Sequence, residues 1–160
     1  MKSLSLARAL ALLVPVLMLG GAYGFQYLGG LHPCEMCWWQ RYPHMVAIPL
    51  ALIAYATRGR ACVSALLAGL AGLAVGISGL IGLFHAGVEY GWWEGLTTCS
   101  TTPTGGSAAD MLSQIMASPI TRCDVAPWSL LGISMAGYNG LLSSAAALAI
   151  LVLLLKARKA

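Results

Sequence analysis

Charge is what this sequence has least of. Only 9% of its 160 residues are Asp, Glu, Lys or Arg, against roughly a quarter in soluble globular proteins. With 59% hydrophobic residues, such a chain cannot cover a globule with polar surface, so a water-soluble domain is excluded and lipid is the expected surrounding. A basic patch is also lacking. The formal net charge is +4, but the nine basic residues stand singly or in pairs between long apolar runs, which excludes a nucleic-acid-binding face. There is no haem-attachment motif, no dinucleotide glycine fingerprint, no H-x-x-x-H and no internal repeat. The length fits one domain.

What is present is four apolar stretches, over about 9–28, 37–57, 61–84 and 128–155. Each reaches the roughly 20 residues that a spanning helix needs. The expected fold is therefore an all-α integral membrane protein, one domain over 1–160, built as a four-transmembrane-helix bundle. The second stretch is the least apolar, with Arg41 near its start and Pro43 and Pro49 inside it; neighbouring helices can satisfy the carbonyls that the prolines free. The first stretch has the basic start and small residues (Gly20, Gly21, Ala22) of a cleaved leader, but it continues through Tyr27 and Leu28 and is read as a retained helix.

Lys2 and Arg8, then Arg58 and Arg60, then Lys156, Arg158 and Lys159 occupy alternate ends of the four stretches, so seven of nine basic residues share one side. By the positive-inside rule that side is cytoplasmic, both termini lie there, and the outer loops are about 29–36 and 85–127. The five acidic residues (Glu35, Glu89, Glu94, Asp110, Asp124) and the five tryptophans (Trp38, Trp39, Trp92, Trp93, Trp128) all fall on the outer side or at its boundary, where indoles favour the headgroups.

The third stretch carries Gly69, Gly72, Gly76 and Gly79 on one helix face, a groove into which another helix can pack closely. In the fourth, Tyr138 and Asn139 need polar partners inside the bundle. Within the long outer loop, 97–107 reads as irregular chain. Ser107 and Asp110 then form a capping-box-like start for a short surface helix ending before Pro119, with Met111, Leu112, Ile115 and Met116 on one side.

This topology sorts the five cysteines. Cys34, Cys37, Cys99 and Cys123 are outside, whereas Cys62 begins the third stretch on the inner side. A hydrocarbon core of about 30 Å keeps Cys62 from the others, so it is read as a small buried residue in a reducing compartment. Across its 23 intervening residues a Cys99–Cys123 bridge would contribute roughly 3 kcal/mol. The close Cys34–Cys37 pair restrains little and is a poor structural staple. A zinc site would need a second half, and only one cysteine stands on each side of a flexible loop, so no metal is assigned. With a helix starting near Cys37, the backbone N–H groups at its N-terminus and Arg41 one turn on would stabilise a thiolate, making Cys37 the reactive sulfur.

The motif Cys34-x-x-Cys37-x-x-Gln40-Arg41, with a loop cysteine pair, His85 just after the third stretch and Gly132-Ile-Ser-Met-Ala-Gly-Tyr-Asn139 after Trp128, resembles the DsbB family of bacterial disulfide-forming membrane proteins over essentially the whole chain. The resemblance implies a thiol:quinone oxidoreductase of the inner membrane, with its active cysteines periplasmic. Such a protein reoxidises a periplasmic DsbA-like thioredoxin-fold partner and passes two electrons to ubiquinone or menaquinone, a route well established for that family. Carried over by position, Cys99 would be attacked by the partner and Cys123 would be its mate. The Cys34–Cys37 pair would exchange with them by a Cys34–Cys123 bridge, and Cys37 would meet the quinone with Arg41 and His85 beside its oxygens. A partner poised near about −120 mV needs such a sink, since thioredoxin-like couples at about −180 to −270 mV leave the step uphill by about 3 to 7 kcal/mol.

Two rival readings differ in class. A membrane scaffold with purely structural disulfides does not explain a close cysteine pair beside Arg41. An enzyme of the vitamin K epoxide reductase kind tends to place its loop pair before the C-x-x-C, whereas here the close pair comes first.

Overall fold

The structure is a computed structural model that describes residues 2–96, 107–110 and 121–159. Among these, four long helices pack side by side: α1 Lys2–Tyr27, α2 Glu35–Ala56, α3 Ala61–Glu89 and α4 Met135–Lys159. Three of them, α1, α3 and α4, are long and apolar enough to cross a membrane. The fourth, α2, has 22 residues, about 33 Å at 1.5 Å per residue, but Gln40, Arg41 and His44 lower its hydropathy. All three of those side chains are buried against the other helices.

The distribution of side-chain size fits a bundle made for lipid. The interior is small: Ala7, Ala11, Ala47, Ala51, Ala71 and Ala74 are buried together with Val75 and Ile150. The leucines face out, among them Leu13, Leu17, Leu66, Leu73, Leu80, Leu148 and Leu151. In water this would expose far more apolar surface than a monomer tolerates. In hydrocarbon, helices associate by close packing of small residues.

The glycine face of α3 does what its spacing predicts, and α4 is the helix that fills it. A methyl group at Gly72 would stand 2.8 Å from Ile150, one at Gly79 would stand 2.6 Å from Ser144 Oγ, and one at Gly82 would stand 2.8 Å from the Gly140 backbone nitrogen. The same approach places Asn139 of α4 against Ser78 of α3, so the tight seam positions polar groups as well as apolar ones.

Several boundaries differ from those expected. Helix α2 begins at Glu35 rather than near Cys37, because Cys34 is its N-cap and the Cys34 sulfur accepts a hydrogen bond from the Cys37 N–H at 3.3 Å. Helix α3 continues to Glu89, so His85 lies within the helix instead of after it. Helix α4 starts at Met135, not near 128, because Ser129–Leu130 and Ile133–Ser134 form a small antiparallel hairpin. Its turn residues Leu131 and Gly132 both have positive φ, 52° and 79°, as a two-residue hairpin turn with the strands' own twist requires. The Tyr90 hydroxyl ties this hairpin to the end of α3, donating to the Gly132 carbonyl and accepting from the Ser134 N–H. Tyr138 likewise finds its partner in the hairpin, the Leu130 carbonyl at 3.1 Å, rather than inside the bundle.

At the opposite end, Cys62 is exposed and not buried as expected. The first turn of α3 directs Ser64 inward, where its hydroxyl donates to the Ala54 carbonyl at 2.7 Å, and this turns Cys62 outward. Ser107 and Asp110 do cap one another: the Ser107 N–H and hydroxyl donate to the Asp110 carboxylate, and the Asp110 N–H donates back to the Ser107 hydroxyl. Those hydrogen bonds hold the Asp110 carboxyl below its usual range. The remainder of the expected surface helix, with Met111, Leu112, Ile115 and Met116, lies outside the described residues, as does Cys99.

Candidate active site

The motif cysteines stand at the start of α2, one as its cap and one in its first turn. Their sulfurs face each other 2.7 Å apart. Hydrogen bonding to Cys37, together with burial, pushes the Cys34 thiol up, so Cys34 is the sulfur that keeps its proton. Cys123 joins the same buried cluster as Cys34, Met36 and Val88, with Cys37, Trp39 and Phe84 packed around it. The far end of the outer loop is thereby delivered to the close pair.

His85 reaches this cluster from α3. Its Nε2 lies 3.2 Å from the Cys123 carbonyl oxygen and 3.7 Å from Cys34 Sγ, and its Nδ1 lies 2.8 Å from Gln40 Nε2. Gln40 fixes the ring's proton. The Gln40 amide group donates to the Met36 carbonyl at 3.2 Å, and its oxygen accepts from Asn139 Nδ2 at 2.9 Å, so the amide cannot be reversed without losing both bonds. The NH2 therefore donates to His85 Nδ1 as well, and the His85 proton sits on Nε2, facing the Cys123 carbonyl and the Cys34 sulfur. This bears on metals. Cys34, Cys37 and His85 offer three donor atoms mutually within 4.8 Å, yet the nitrogen that faces the sulfurs carries the hydrogen, while the bare nitrogen is held by Gln40. No metal is assigned to the cluster.

Arg41, one turn after Cys37, is 6% exposed. Its guanidinium donates to the Gln26 side chain and to the Ala22 carbonyl, both on α1, and lies 5.0 Å from the ring centres of Tyr23 and Trp38. Among the described residues it forms no ion pair with a carboxylate. A rigid buried cation is a strong attractor for electron-rich oxygen.

Two hollows meet at the cysteines. One, of about 340 Å³, is apolar and lies between α1, α2 and α4; Leu17, Phe25, Trp128, Met135 and Leu142 supply its walls, and Cys37, Arg41 and His44 its chemistry. The other, of about 330 Å³, opens beside the outer loop and is bounded by Cys34, Cys37, Thr121, Arg122 and Val125. Cys37, His85 and Glu89 border both. The dithiol therefore stands between a loop-side hollow and a greasy one.

Of the residues expected from sequence, Cys34, Cys37, Arg41, His85 and Cys123 come together here. Sequence reasoning missed Gln40 as an orienting group, Gln26 as the α1 anchor of Arg41, and Glu89, whose side chain is 2% exposed and 3.8 Å from His85 Nε2. Gln40 stands inside the motif, which was a usable signal; Gln26 and Glu89 carried none. Asp124, next to Cys123 in the chain, pairs with Arg122, and this hydrogen bond holds its carboxyl below the usual range.

A C-x-x-C pair at a helix start, one sulfur buried and one half-buried, with a third cysteine delivered by a loop, defines a membrane-embedded thiol–disulfide oxidoreductase. The chain belongs to the DsbB family: the family described as disulfide bond formation protein DsbB matches residues 5–153. Membership makes it a disulfide-forming protein. It is also 29% identical over 133 residues to an uncharacterized protein of Rickettsia prowazekii (strain Madrid E), covering 81% of this chain and 76% of that protein. No solved structure matches.

Proposed function

We propose that the protein is a thiol:quinone oxidoreductase of the bacterial inner membrane, which reoxidises a periplasmic DsbA-like partner through two cysteine pairs and passes the electrons to ubiquinone or menaquinone. The observation that carries the reading is Cys37 in the wall of an apolar hollow that also holds Arg41, which forms no ion pair with a carboxylate among the described residues. All four helices span in this reading, α2 with its polar side chains turned inward. The termini and Cys62 face the cytoplasm, and the Cys34 end faces the periplasm.

A quinone, when bound, supplies a lipid-soluble acceptor of two electrons and two protons. The residues present fit its headgroup: apolar walls for the ring and tail, Arg41 to hold an oxygen, and a buried His44 Nδ1 without a partner among the described residues. On the thiol side, a partner thiolate forms a bond to Cys99 while the Cys99–Cys123 bond breaks. The partner's second thiol then displaces Cys99 and completes the partner's disulfide. Cys123, now reduced, forms a bond to Cys34 while the Cys34–Cys37 bond breaks, and Cys37 leaves as a thiolate into the hollow. Cys99 then displaces Cys34, restoring the loop disulfide. Two electrons and two protons have moved from the partner's dithiol to the Cys34–Cys37 pair. His85 Nε2–H, facing both Cys34 and the Cys123 backbone, is placed to hold charge on the exchanging sulfur.

The test is quinone reduction by the purified protein, followed by absorbance, with a reduced DsbA-like donor. Turnover is expected with the native chain and none with Cys37→Ser. Folded, oxidised protein that reduces neither ubiquinone nor menaquinone analogues would refute the reading.

A further inference from the structure

His44 lies within α2, three residues after Arg41 and 3% exposed, on the wall of the apolar hollow. Its Nε2 lies 3.0 Å from Asn139 Oδ1. The orientation of that amide is settled by its other contacts. Asn139 Nδ2 lies 3.2 Å from the Ser78 backbone carbonyl and 2.9 Å from Gln40 Oε1, both of which can only accept, and 3.1 Å from Ser78 Oγ. The NH2 group therefore faces Ser78 and Gln40, and the oxygen faces His44. Asn139 Oδ1 also accepts from Ser143 Oγ at 2.8 Å, and that hydroxyl lies 3.4 Å from His44 Nε2. An oxygen that accepts requires a donor opposite, so the His44 proton is on Nε2.

Nδ1 is then left with a bare lone pair, buried and without a partner among the described residues. A buried acceptor in this state is a vacancy for a donor. Of the hollow's other polar groups, Arg41 can only donate, while Glu89 Oε2 is, like His44 Nδ1, a buried acceptor without a partner among the described residues. Arg41 and His44 therefore have opposite demands: a carbonyl oxygen satisfies Arg41 and is of no use to His44, whereas a hydroxyl satisfies both.

Resting on the quinone reading above, we propose that His44 Nδ1 accepts a hydrogen bond from a hydroxyl of the hydroquinone. The hollow thereby holds the reduced acceptor more tightly, relative to the oxidised one, than its apolar walls and Arg41 alone would. No covalent change occurs at His44. The hydroxyl keeps its proton and the imidazole lone pair receives the hydrogen bond, so the residue favours the forward direction of a reaction whose electrons come from the dithiol.

The experiment measures binding of a short-chain ubiquinone and of its hydroquinone, each by quenching of tryptophan fluorescence. The full chain in detergent carries Cys34→Ser and Cys37→Ser in both arms so that no electrons exchange. Adding His44→Leu is expected to weaken hydroquinone binding roughly fivefold, the worth of one hydrogen bond, and to leave quinone binding within about twofold. Equal weakening of both forms, or no change in their ratio, would overturn the proposal and leave the quinone reading standing. Failure of the His44-containing protein to bind either form would overturn both. Nitrogen-15 histidine spectra of the native chain give a readout that needs no substitution at His44. The expected result is a neutral Nε2–H ring whose Nδ1 resonance moves with hydroquinone and not with quinone. A protonated Nδ1 in the ligand-free protein, or an equal response to both ligands, would contradict the assignment.

Discussion

Around Ala47, Ala51, Ala71 and Ala74 the helices meet through methyl groups, and along Gly72 and Gly76 through bare backbone. Nearer the Cys34 end, around Gln40, His44, Ser78 and Asn139, they meet through hydrogen bonds. Both regions are buried and both lie on the same helices. The first holds the bundle together by contact alone, which in lipid is the main force available. The second adds hydrogen bonds whose directions are interlocked: Met36 and Ser78 carbonyls orient two amides, and the amides orient two imidazoles. The difference shows how a chain with so few polar residues can still hold a chemically exact site. The apolar seam sets the distance between α3 and α4, and the polar groups then have only one way to pair.

The comparison breaks most completely at Asn139. Asn139→Leu strands Gln40 Oε1 and the His44 Nε2–H in an apolar interior, and at 1–3 kcal/mol for each unmet group it is expected to destabilise the protein by about 3 kcal/mol. Thermal unfolding in detergent measures this; a change below about 1 kcal/mol would show that the network is not interlocked. Arg41→Ala is expected to raise the quinone KM about 10- to 100-fold, as the loss of a charged hydrogen bond implies, while partner affinity stays within about twofold. Steady-state kinetics with each substrate varied in turn separates the two, and equal loss for both would remove Arg41 from the quinone site. In the apolar region, Gly72→Ala places a methyl 2.8 Å from Ile150 and should cost about 1 kcal/mol by overpacking, with specific activity of the folded protein unchanged. A fall in activity larger than the fall in folded fraction would show that the seam does more than hold.

Asp124→Asn should have the smallest effect. Its carboxyl is held below its usual range by Arg122, so any contribution is present above the unfolded-state value and is lost as pH falls through the folded-state value. Because the pair is exposed, solvent screening leaves no measurable change in Tm at pH 7. A clear loss there would mean that Asp124 acts through Cys123.

Much of the fold was readable because lipid imposes a simple rule on composition. The four apolar stretches became four helices, and the glycines of α3 became the seam with α4. The motif placed Cys34, Cys37 and Arg41 together because residues three and four apart share a helix face. What could not be read was where long-range polar groups pair. Nothing in the order Gln40, Ser78, His85, Asn139 says that they converge from three helices, since a single polar residue in an apolar run has no period. The hairpin before α4 was hidden for a related reason: Leu131-Gly132 lacks the Asn-Gly or Asp-Gly signature of its turn, and the surrounding apolar residues read as more helix. Cys62 was misjudged because burial on the first turn of α3 is decided by Ser64 and its bond to Ala54, a contact across two helices.

In the proposed reaction electrons leave through the apolar hollow beside Cys37, and a photoreactive quinone analogue tests this most directly. After illumination and digestion of the labelled full chain, adducts are expected on the hollow's walls, at Phe25, Trp128 or Met135, and should be lost on competition with unmodified quinone. Adducts confined to the alanine region around Ala47 and Ala71, or spread evenly over the lipid-facing leucines without competition, would contradict it.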